Sequence, residues 1–412
     1  MTEEYDLFVG LDWGEASTSA CVLDGAGKVV KELTVAHSGP ALERFFENLT
    51  RMSAGGPERI AVAIEIPRGA LVDGLLERGF AAHSINPKQL DRFRDRHTVA
   101  GAKDDRRDAF VLGDSLRTDR PLFRRLKLDE PQVIELRELS RLHDDLTEEF
   151  RRVANRLRQQ LHRYFPQILA LSPAADEPWV WALLHPALTP AQTSSLSPRR
   201  LRKLLQDNHI RRLDVLQVAQ ALCAPALPVA PGVVQAASGH ARILLDQVEL
   251  IHRQLKECDR NLKALLDQMQ SEGDGPEPRS VAILLSLPGI GTSVAATLLA
   301  EAHEPLVAAD YPALRSLCGV APVTRQSGKS RRVLMRRACH RRLRNAVYHM
   351  ARIFMHRDPD GRVRYDALRA RGHSHGRALR QLADHLLRVL SAMLRTGSTY
   401  RPSIPSPAPV AP

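Results

Sequence analysis

Two long, mostly apolar seams constrain the fold of this chain more than any other feature. Their members are three or four positions apart, except for one step of seven between Leu157 and Tyr164, and this spacing is typical of long helices that pack along one side and carry charges on the others. The seams could pair within one chain or between chains, and a plain helical bundle core is an equal alternative to an oligomerising coiled coil. The first seam is Leu136, Leu139, His143, Leu146, Phe150, Val153, Leu157 and Tyr164, and the second is Leu244, Val248, Ile251, Leu255, Cys258, Leu262, Leu265 and Met269.

The residues before the first seam alternate between strand-like and helix-like segments. This alternation predicts an α/β layer domain over residues 1–125. A helical or coiled-coil region follows over 126–270, then a linker over 271–279, a mostly helical domain over 280–396 and a disordered Pro/Ser-rich tail over 397–412. The apolar runs that predict strands are 7–13, 17–23, 29–35, 59–64 and 80–85, and helical spacing appears at 40–52, 70–78 and 105–117.

Composition narrows the classes of partner. The 412 residues include 59 Lys+Arg against 47 Asp+Glu, and the net charge of +12 indicates a polyanionic partner. Aromatic residues make up only 5%, which argues against a large base-stacking surface.

No apolar stretch is long enough for a membrane span, and the acidic start lacks the apolar core of a secretory signal. Five scattered cysteines without a CxxC pair fit a reducing cytoplasm and exclude a zinc ribbon.

Four carboxylates form the main candidate site. Asp12 ends the first predicted strand, Glu65 follows the fourth, and Asp105 and Asp108 share one face at the start of a helix. In a ribonuclease-H-like sheet the first and fourth strands are neighbours, so these acids would converge. Converging carboxylates repel one another unless divalent cations lie among them, and Mg²⁺ prefers such oxygen ligands and assists phosphoryl transfer. Each acid alone could be a strand-end or helix-start charge, but the joint arrangement favours a metal site.

Two further segments indicate contact with nucleic acid. The sequence Leu-Pro-Gly-Ile-Gly at 287–291 predicts a tight turn between two helices, in which Gly289 and Gly291 would let the backbone approach a phosphate, although a simple helix connection is an equal alternative. Residues 325–352 hold ten Lys+Arg and no acid, which favours phosphate binding over a solvated face. The candidate contacts are Arg325, Lys329, Arg331, Arg332, Arg336, Arg337, Arg341 and Arg342.

Ser327 lies near the start of this basic run, in Gln326-Ser327-Gly328-Lys329. A serine flanked by glycine and cations is accessible to a phosphate, and positive charge favours its alkoxide. Taken alone, the segment also fits an ordinary polar loop.

Together these motifs resemble the DEDD transposases of bacterial insertion sequences, the family numbered one-ten, described as bridge-RNA-guided recombinases. The resemblance covers nearly the whole chain: GLDWGEAS around Asp12, the strand ending at Glu65, KDDRRDA around Asp105 and Asp108, LPGIGTSVAATLLAE, and LCGVAPVTRQSGKSRR. It implies a RuvC-like domain with an RNase H fold, an intervening coiled coil and a C-terminal transposase domain.

The resemblance implies a role for each candidate residue. Asp12, Glu65, Asp105 and Asp108 match the catalytic tetrad that holds Mg²⁺, and Ser327 matches the nucleophile. Asp104 is a second candidate for the first helix ligand, although the D-x-x-D spacing favours Asp105.

The implied function is RNA-guided recombination in the bacterial cytoplasm, at the nucleoid. Ser327 would attack a phosphate of donor or target DNA, a non-coding guide RNA would pair with both DNAs, and the protein would act as a dimer or tetramer. Two alternatives remain. One is a RuvC-type junction nuclease that activates water, and the other is a non-catalytic nucleic-acid-binding protein.

Overall fold

The computed structural model describes residues 4–97, 104–271, 276–328 and 330–401. The chain divides into two compact units, Met1–Glu130 and Pro131–Pro412. The predicted helical region and the predicted last domain therefore lie in one unit.

A six-stranded mixed sheet forms the centre of the first unit. Its strands are β1 (Leu7–Trp13), β2 (Ser17–Asp24), β3 (Val29–Ala36), β4 (Ile60–Ile64), β5 (Ala81–Ser84) and β6 (Arg124–Arg125), in the order β3-β2-β1-β4-β5-β6. Neighbouring strands are antiparallel except for the pairs β1/β4 and β4/β5, which are parallel. The predicted adjacency of the first and fourth strands is confirmed. The sequence did not predict β6, which is only two residues long.

Helices cover both faces of this sheet, which is why every residue of β4 is buried. One face packs on α1 (Gly39–Met52) and α2 (Ala70–Glu77), and the other packs on α3 (Pro87–His97) and α4 (Asp105–Asp119). Short 3-10 turns lie at Pro57–Arg59 and Arg120–Leu122. The predicted α/β layer is confirmed, and α3 is an addition to it.

The second unit is built on two long helices, α5 (Pro131–Tyr164) and α10 (Pro231–Ser271), which contain the two predicted seams. The helices pack antiparallel within the chain. The Sγ of Cys258 donates to the carbonyl of Leu139 at 3.5 Å, and the rings of Phe150 and His252 lie 5.9 Å apart. The sequence left open whether the two seams pair within one chain or between chains. In the structure they pair within one chain.

Four short helices surround one end of this pair: α6 (Pro166–Leu171), α7 (Pro178–Leu184), α8 (Pro198–Asp207) and α9 (Val215–Leu222), with a 3-10 turn at Pro190–Ser195. Their core is built on large aromatic side chains, chiefly Tyr164, Phe165, Trp179 and Trp181. The Tyr164 hydroxyl and the Trp181 indole each donate to a backbone carbonyl at 2.9 Å, so both polar groups are satisfied on burial.

The remaining elements gather around the other end of the helix pair. They are α11 (Pro276–Ser286), α12 (Thr292–Glu301), α13 (His303–Val307), α14 (Tyr311–Leu317), β7 (Val323–Ser327), β8 (Ser330–Leu334), α15 (Arg341–Arg357), α16 (Pro359–Ala370) and α17 (His375–Thr396). Val133 and Leu136 of α5 and Leu262 of α10 share their core. This shared core explains why residues from 131 onward form one unit.

The structure corrects two boundary predictions. Residues 272–275 of the predicted linker lie outside the described residues, but α11 already begins at Pro276. The predicted disordered tail begins at Gly397, yet the Tyr400 hydroxyl donates to Asp358 at 3.2 Å and the Tyr400 backbone N–H donates to Ser286 at 2.9 Å. Residues 402–412 of that tail lie outside the described residues. Within the described ranges, no helix is both long enough and apolar enough to cross a membrane.

Candidate active site

Parallel pairing of β1 and β4 brings two acids to the same edge of the sheet. The last paired residues are Leu11 and Ile64, so Asp12 and Glu65 follow at equivalent positions. Leu11 packs in the core formed with α1 and α2. Because side chains alternate along a strand, Asp12 lies on the opposite face, which α4 covers.

Two glycines allow α4 to lie directly on β1. A Cβ at Gly10 would lie 1.8 Å from the carbonyl oxygen of Ala109 and 2.5 Å from the backbone nitrogen of Gly113. Any side chain at Gly10 would therefore force the helix away from the strand. The contact fixes the first turn of α4, which carries Asp105 and Asp108, next to the strand that carries Asp12.

The electrostatics of Asp12 reflect this arrangement. The pKa of Asp12 is raised to about 6: burial is the largest cause, the negative charges of Asp108, Asp105 and Glu65 also raise it, and Arg94 opposes them. The structure thus brings the four acids singled out from the sequence within range of mutual repulsion.

Arg94 of α3 holds the most buried of these acids. Its guanidinium donates to both carboxylate oxygens of Asp108, at 2.8 and 2.9 Å, and to Asp91 at 2.7 Å. Sequence reasoning missed this residue. The alternating charges of α3 resemble a solvated helix face, and no motif marks the one arginine that turns inward.

Asp104 has a different role from its neighbour. It is the N-cap of α4, and its side chain accepts from the backbone N–H of Arg106 at 3.2 Å. Asp105 is the first residue of the helix, and its charge acts on Asp12. The geometry therefore favours Asp105 over Asp104 as a ligand.

The chemistry of the donor set fits a hard divalent cation, because all four groups are carboxylates. Asp12, Glu65 and Asp105 form no ion pair with a cation of the described residues, whereas both oxygens of Asp108 are engaged by Arg94. In the described ranges, no three His, Cys, Asp or Glu side chains lie close enough together to ligate one ion. If a divalent cation binds here, Asp12, Glu65 and Asp105 would hold it, and Asp108 could take part only after its contact with Arg94 is broken.

Ser327 lies at the tip of a two-stranded hairpin in the second unit. It ends β7 and pairs with Ser330 at the start of β8, and Gly328 in the turn has φ +53°. Arg325 lies directly opposite Arg332. Because residues at i and i+2 and directly opposed residues point to one side of a hairpin, Ser327, Ser330, Arg325 and Arg332 share a face. Arg331, paired with Gln326, lies on the other face.

The other candidate cations differ in their environment. Arg337 and Arg341 are exposed, Arg336 is half-buried, and Lys329 lies outside the described residues. Arg342 is engaged within the protein: it donates to Asp144 at 2.7 Å, to Ser140 at 2.6 Å and to Glu301. Its charge therefore stabilises the packing of α15 on α5 and α12. Its predicted contact with phosphate stays a prediction, and a phosphate would have to compete with these partners.

The glycine-rich turn between α11 and α12 also has a structural explanation. Gly289 has φ +98°, and a Cβ there would lie 2.5 Å from the carbonyl oxygen of Met350 in α15. The close approach that requires this glycine is to another helix. Gly291 precedes α12 and is exposed, with open space where a Cβ would lie.

Comparison with known proteins identifies the family. Residues 9–166 match the DEDD_Tnp_IS110 transposase family, and residues 281–366 match the family described as transposase IS116/IS110/IS902. A Sinorhizobium fredii protein named as a candidate transposase, y4uE, is 43% identical over 227 residues, which cover 55% of this chain and 63% of that protein.

Two Streptomyces coelicolor proteins align over nearly their whole length. The first, named as a candidate transposase of the IS117 mini-circle, is 30% identical over 95% of this chain and 94% of its own length. The second, an uncharacterised 43.6 kDa protein of insertion element IS110, is 30% identical over 98% of both chains. The chain therefore belongs to the IS110 family of insertion-sequence transposases.

Proposed function

We propose that this transposase cleaves and exchanges DNA strands with Ser327 as the nucleophile and with Asp12, Glu65, Asp105 and Asp108 as a site for Mg²⁺. The observation that carries the proposal is the pairing of β1 with β4 and the close packing of α4 on β1, which bring Asp12 near enough to Glu65, Asp105 and Asp108 for their charges to act on it. Such mutual repulsion costs stability unless a cation neutralises it.

The chemical step exchanges one ester for another. The Oγ of Ser327 attacks the phosphorus of a DNA phosphodiester, the bond from phosphorus to one deoxyribose oxygen breaks, and the serine proton is transferred to that leaving oxygen. The product is a phosphoserine ester. A deoxyribose hydroxyl of the exchanged strand then attacks it, which rejoins the DNA, returns the proton and frees Ser327.

The residues around Ser327 support this role. Arg325 and Arg332 share its face of the hairpin, so their charges favour the alkoxide and the negative phosphate. A bound Mg²⁺ would polarise the phosphate and stabilise the leaving oxygen. Because the ester bond is conserved, the reaction needs no ATP, and the sequence contains no GxxxxGK[ST] motif.

Target choice by a guide RNA rests on the family resemblance. In this proposal, base pairing reads the sequence and the protein contributes charge and shape. The exposed cations of the hairpin and of the start of α15 are the candidate contacts for the guide RNA. The resemblance also suggests a dimer or tetramer as the active form.

The decisive experiment incubates the protein with guide RNA, Mg²⁺ and end-labelled DNA carrying the element's termini, and resolves the products on a denaturing gel. Wild-type protein should give a slow-migrating protein–DNA band. S327A should abolish this band while RNA and DNA binding persist. S330A is the matched control, because Ser330 lies opposite Ser327 on the same face, and it should retain the band.

The alternatives predict other outcomes. A water-activating RuvC-type nuclease would cleave without a covalent band and would tolerate S327A. A non-catalytic binding protein would not cleave at all, with or without Mg²⁺. Loss of the adduct in S330A together with its retention in S327A would move the nucleophile to Ser330.

A further inference from the structure

Helix α8, far in sequence from the basic hairpin, carries a second concentration of positive charge. Four of its ten residues are Lys or Arg, and Asp207 is its only acid. All four cations are exposed. They are Arg199, Arg200, Arg202 and Lys203.

The cations lie opposite the side by which α8 is anchored. Leu201 and Leu205 are buried in the aromatic core of the middle helices. At about 100° of rotation per residue, the four cations span an arc of roughly 160° centred on the opposite side. The helix therefore presents one continuous basic face to solvent.

This basic face does not stabilise the helix that carries it. Three of the four cations, Arg199, Arg200 and Arg202, lie in the N-terminal half of α8, where the helix dipole disfavours positive charge. Arg199 and Lys203 are four residues apart, and Arg200 and Lys203 are three apart, so like charges also repel along the helix. In the part of the chain that the structure describes, none of the four forms an ion pair, whereas nearby Arg212 pairs with Glu177 at 2.6 Å.

A groove of about 560 Å³ runs between α8 and the end of α7. Arg200 and Lys203 lie on its α8 side, and Ala182, Leu183 and Pro186 lie on the other. Its lining contains no Phe, Tyr or Trp side chain. The one aromatic ring among the residues that line it is His185, whose Nε2 lies 2.9 Å from a carboxylate oxygen of Glu249. The groove therefore offers charge and shape but no series of rings on which successive unpaired bases could stack.

We propose that the basic face of α8, defined by Arg199, Arg200, Arg202 and Lys203, binds the phosphate backbone of duplex DNA. The inference rests on the proposed function, since it takes the transposase's own DNA as the ligand. Duplex DNA is favoured over single-stranded RNA because recognition of successive unpaired bases uses several stacking rings, and His185 is the one aromatic ring among the residues that line this groove. Phosphate contacts by Lys and Arg need only the charge that is present.

The test compares the full-length quadruple variant R199Q/R200Q/R202Q/K203Q with a control that removes the same total charge. The control is R51Q/R152Q/R362Q/R364Q, whose arginines are exposed and paired with nearby carboxylates. Binding to a mixed-sequence DNA duplex of about 30 base pairs is measured as a function of salt, where each phosphate contact contributes about 0.9 to the slope of log affinity against log salt.

We expect the slope of the α8 variant to be shallower by about 2 to 4, and affinity at low salt to fall at least about tenfold. The control should shift the slope much less. The melting temperature of the α8 variant should stay equal or rise, because repulsion within the helix is relieved. A slope equal to that of the control would overturn the proposal, and so would a fall in melting temperature that accounts for the lost binding.

Two further arms separate the possible ligands and the two proposals. If the α8 variant loses affinity for a single-stranded or hairpin RNA probe but keeps its affinity for the duplex, α8 is an RNA surface and the proposal fails. S327A should bind the duplex with the wild-type slope. The salt dependence of duplex binding therefore tests the α8 surface even if Ser327 is not the nucleophile. The adduct assay likewise tests Ser327 even if the α8 variant binds with an unchanged slope.

Discussion

The guanidinium of Arg94 lies where a cation is needed, donating to both carboxylate oxygens of Asp108 at 2.8 and 2.9 Å. Asp108 is 3% exposed, so its charge is almost fully removed from water. A buried carboxylate requires a partner of opposite charge. Arg94 supplies it in the absence of metal, and the same contact keeps Asp108 from ligating an ion. Arg94 is therefore a positioning residue for the acidic site.

Removing this arginine should destabilise the metal-free protein. We expect R94Q to lower the free energy of unfolding by about 2 to 4 kcal/mol, because it leaves Asp108 buried without a partner. The partial exposure of Arg94 keeps this loss below that of a fully buried ion pair. Mg²⁺ should then raise the stability of R94Q more than that of the wild type. Urea unfolding with and without Mg²⁺ measures both effects.

R96Q is the matched control for R94Q, two residues along the same helix. Arg96 pairs with Asp119 at 2.9 Å, and both side chains are substantially exposed. Such a pair contributes about 1 kcal/mol or less. If R94Q and R96Q lower the free energy of unfolding by the same amount, Arg94 does not have the role assigned to it.

The contact between β1 and α4 gives a second prediction. G10A places a methyl group against the backbone of Ala109 and Gly113, at 1.8 and 2.5 Å, and a backbone cannot rotate away. We expect a loss of about 1 to 3 kcal/mol from overpacking, together with reduced DNA cleavage as Asp105 and Asp108 move away from Asp12. G39A is the control, since nothing lies within 4 Å of its added Cβ. Equal stability and cleavage in G10A and G39A would contradict the prediction.

Much of this site could be predicted from sequence because it depends on topology. Once residues 7–13 and 60–64 are recognised as strands of one sheet, with Asp12 and Glu65 at their ends, adjacency of the two strands brings the acids together. The D-x-x-D spacing then follows from the helical period. Gly10, inside an apolar strand, is a further sequence signal of close backbone approach.

Other features depend on tertiary packing that no local pattern encodes. Arg94 and Arg342 look like their neighbours in sequence, and only the fold turns them toward Asp108 and Glu301. Gly289 has the pattern of a phosphate-binding turn, but a neighbouring helix occupies the space beside it. The short helices between α5 and α10 could not be predicted from the sequence, because short, Pro-rich segments contain too few turns to give a periodic pattern.

The hairpin predicts an asymmetry between its two faces. Arg325 and Arg332 face each other across the strands, an arrangement of like charges that is destabilising without an anion. R325Q and R332Q should each slow DNA cleavage by about 10- to 100-fold, because they remove charge beside the developing alkoxide. R331Q removes the same charge from the opposite face and should slow cleavage much less. Single-turnover cleavage rates distinguish the three variants, and equal effects would place Ser327 outside the reacting centre.

His143 in α5 predicts a dependence of stability on pH. Asp144 has the largest effect on the pKa of His143 and raises it, Asp259 also raises it, and burial opposes both. The His143 Nε2 lies 3.1 Å from Asp259. A raised pKa stabilises the folded state at pH values below that of an unfolded histidine, about 6.5, and the contribution disappears as pH rises through the folded value.

The stability difference between wild type and H143Q should therefore be largest in mildly acidic solution and shrink as pH increases. Urea unfolding across this range measures it. H162Q, at an exposed position near the end of the same helix, corrects for general effects of replacing a histidine. A difference that stays constant with pH would show that the two carboxylates do not act on His143 in the folded state.

The adjacent acids at the start of α4 give the sharpest test of the metal ligands. Asp104 caps the helix through the backbone N–H of Arg106, and asparagine can make the same bond. D104N should therefore keep both stability and cleavage, whereas D104A should lose about 1 kcal/mol of stability with cleavage largely retained. D105N keeps the size of the side chain but removes a charge that acts on Asp12. It should reduce Mg²⁺-dependent cleavage by at least about 100-fold with little change in unfolding. Cleavage rates and urea unfolding of the three variants separate capping from catalysis. Loss of cleavage in D104N with an active D105N would exchange the two roles and move the ligand to Asp104.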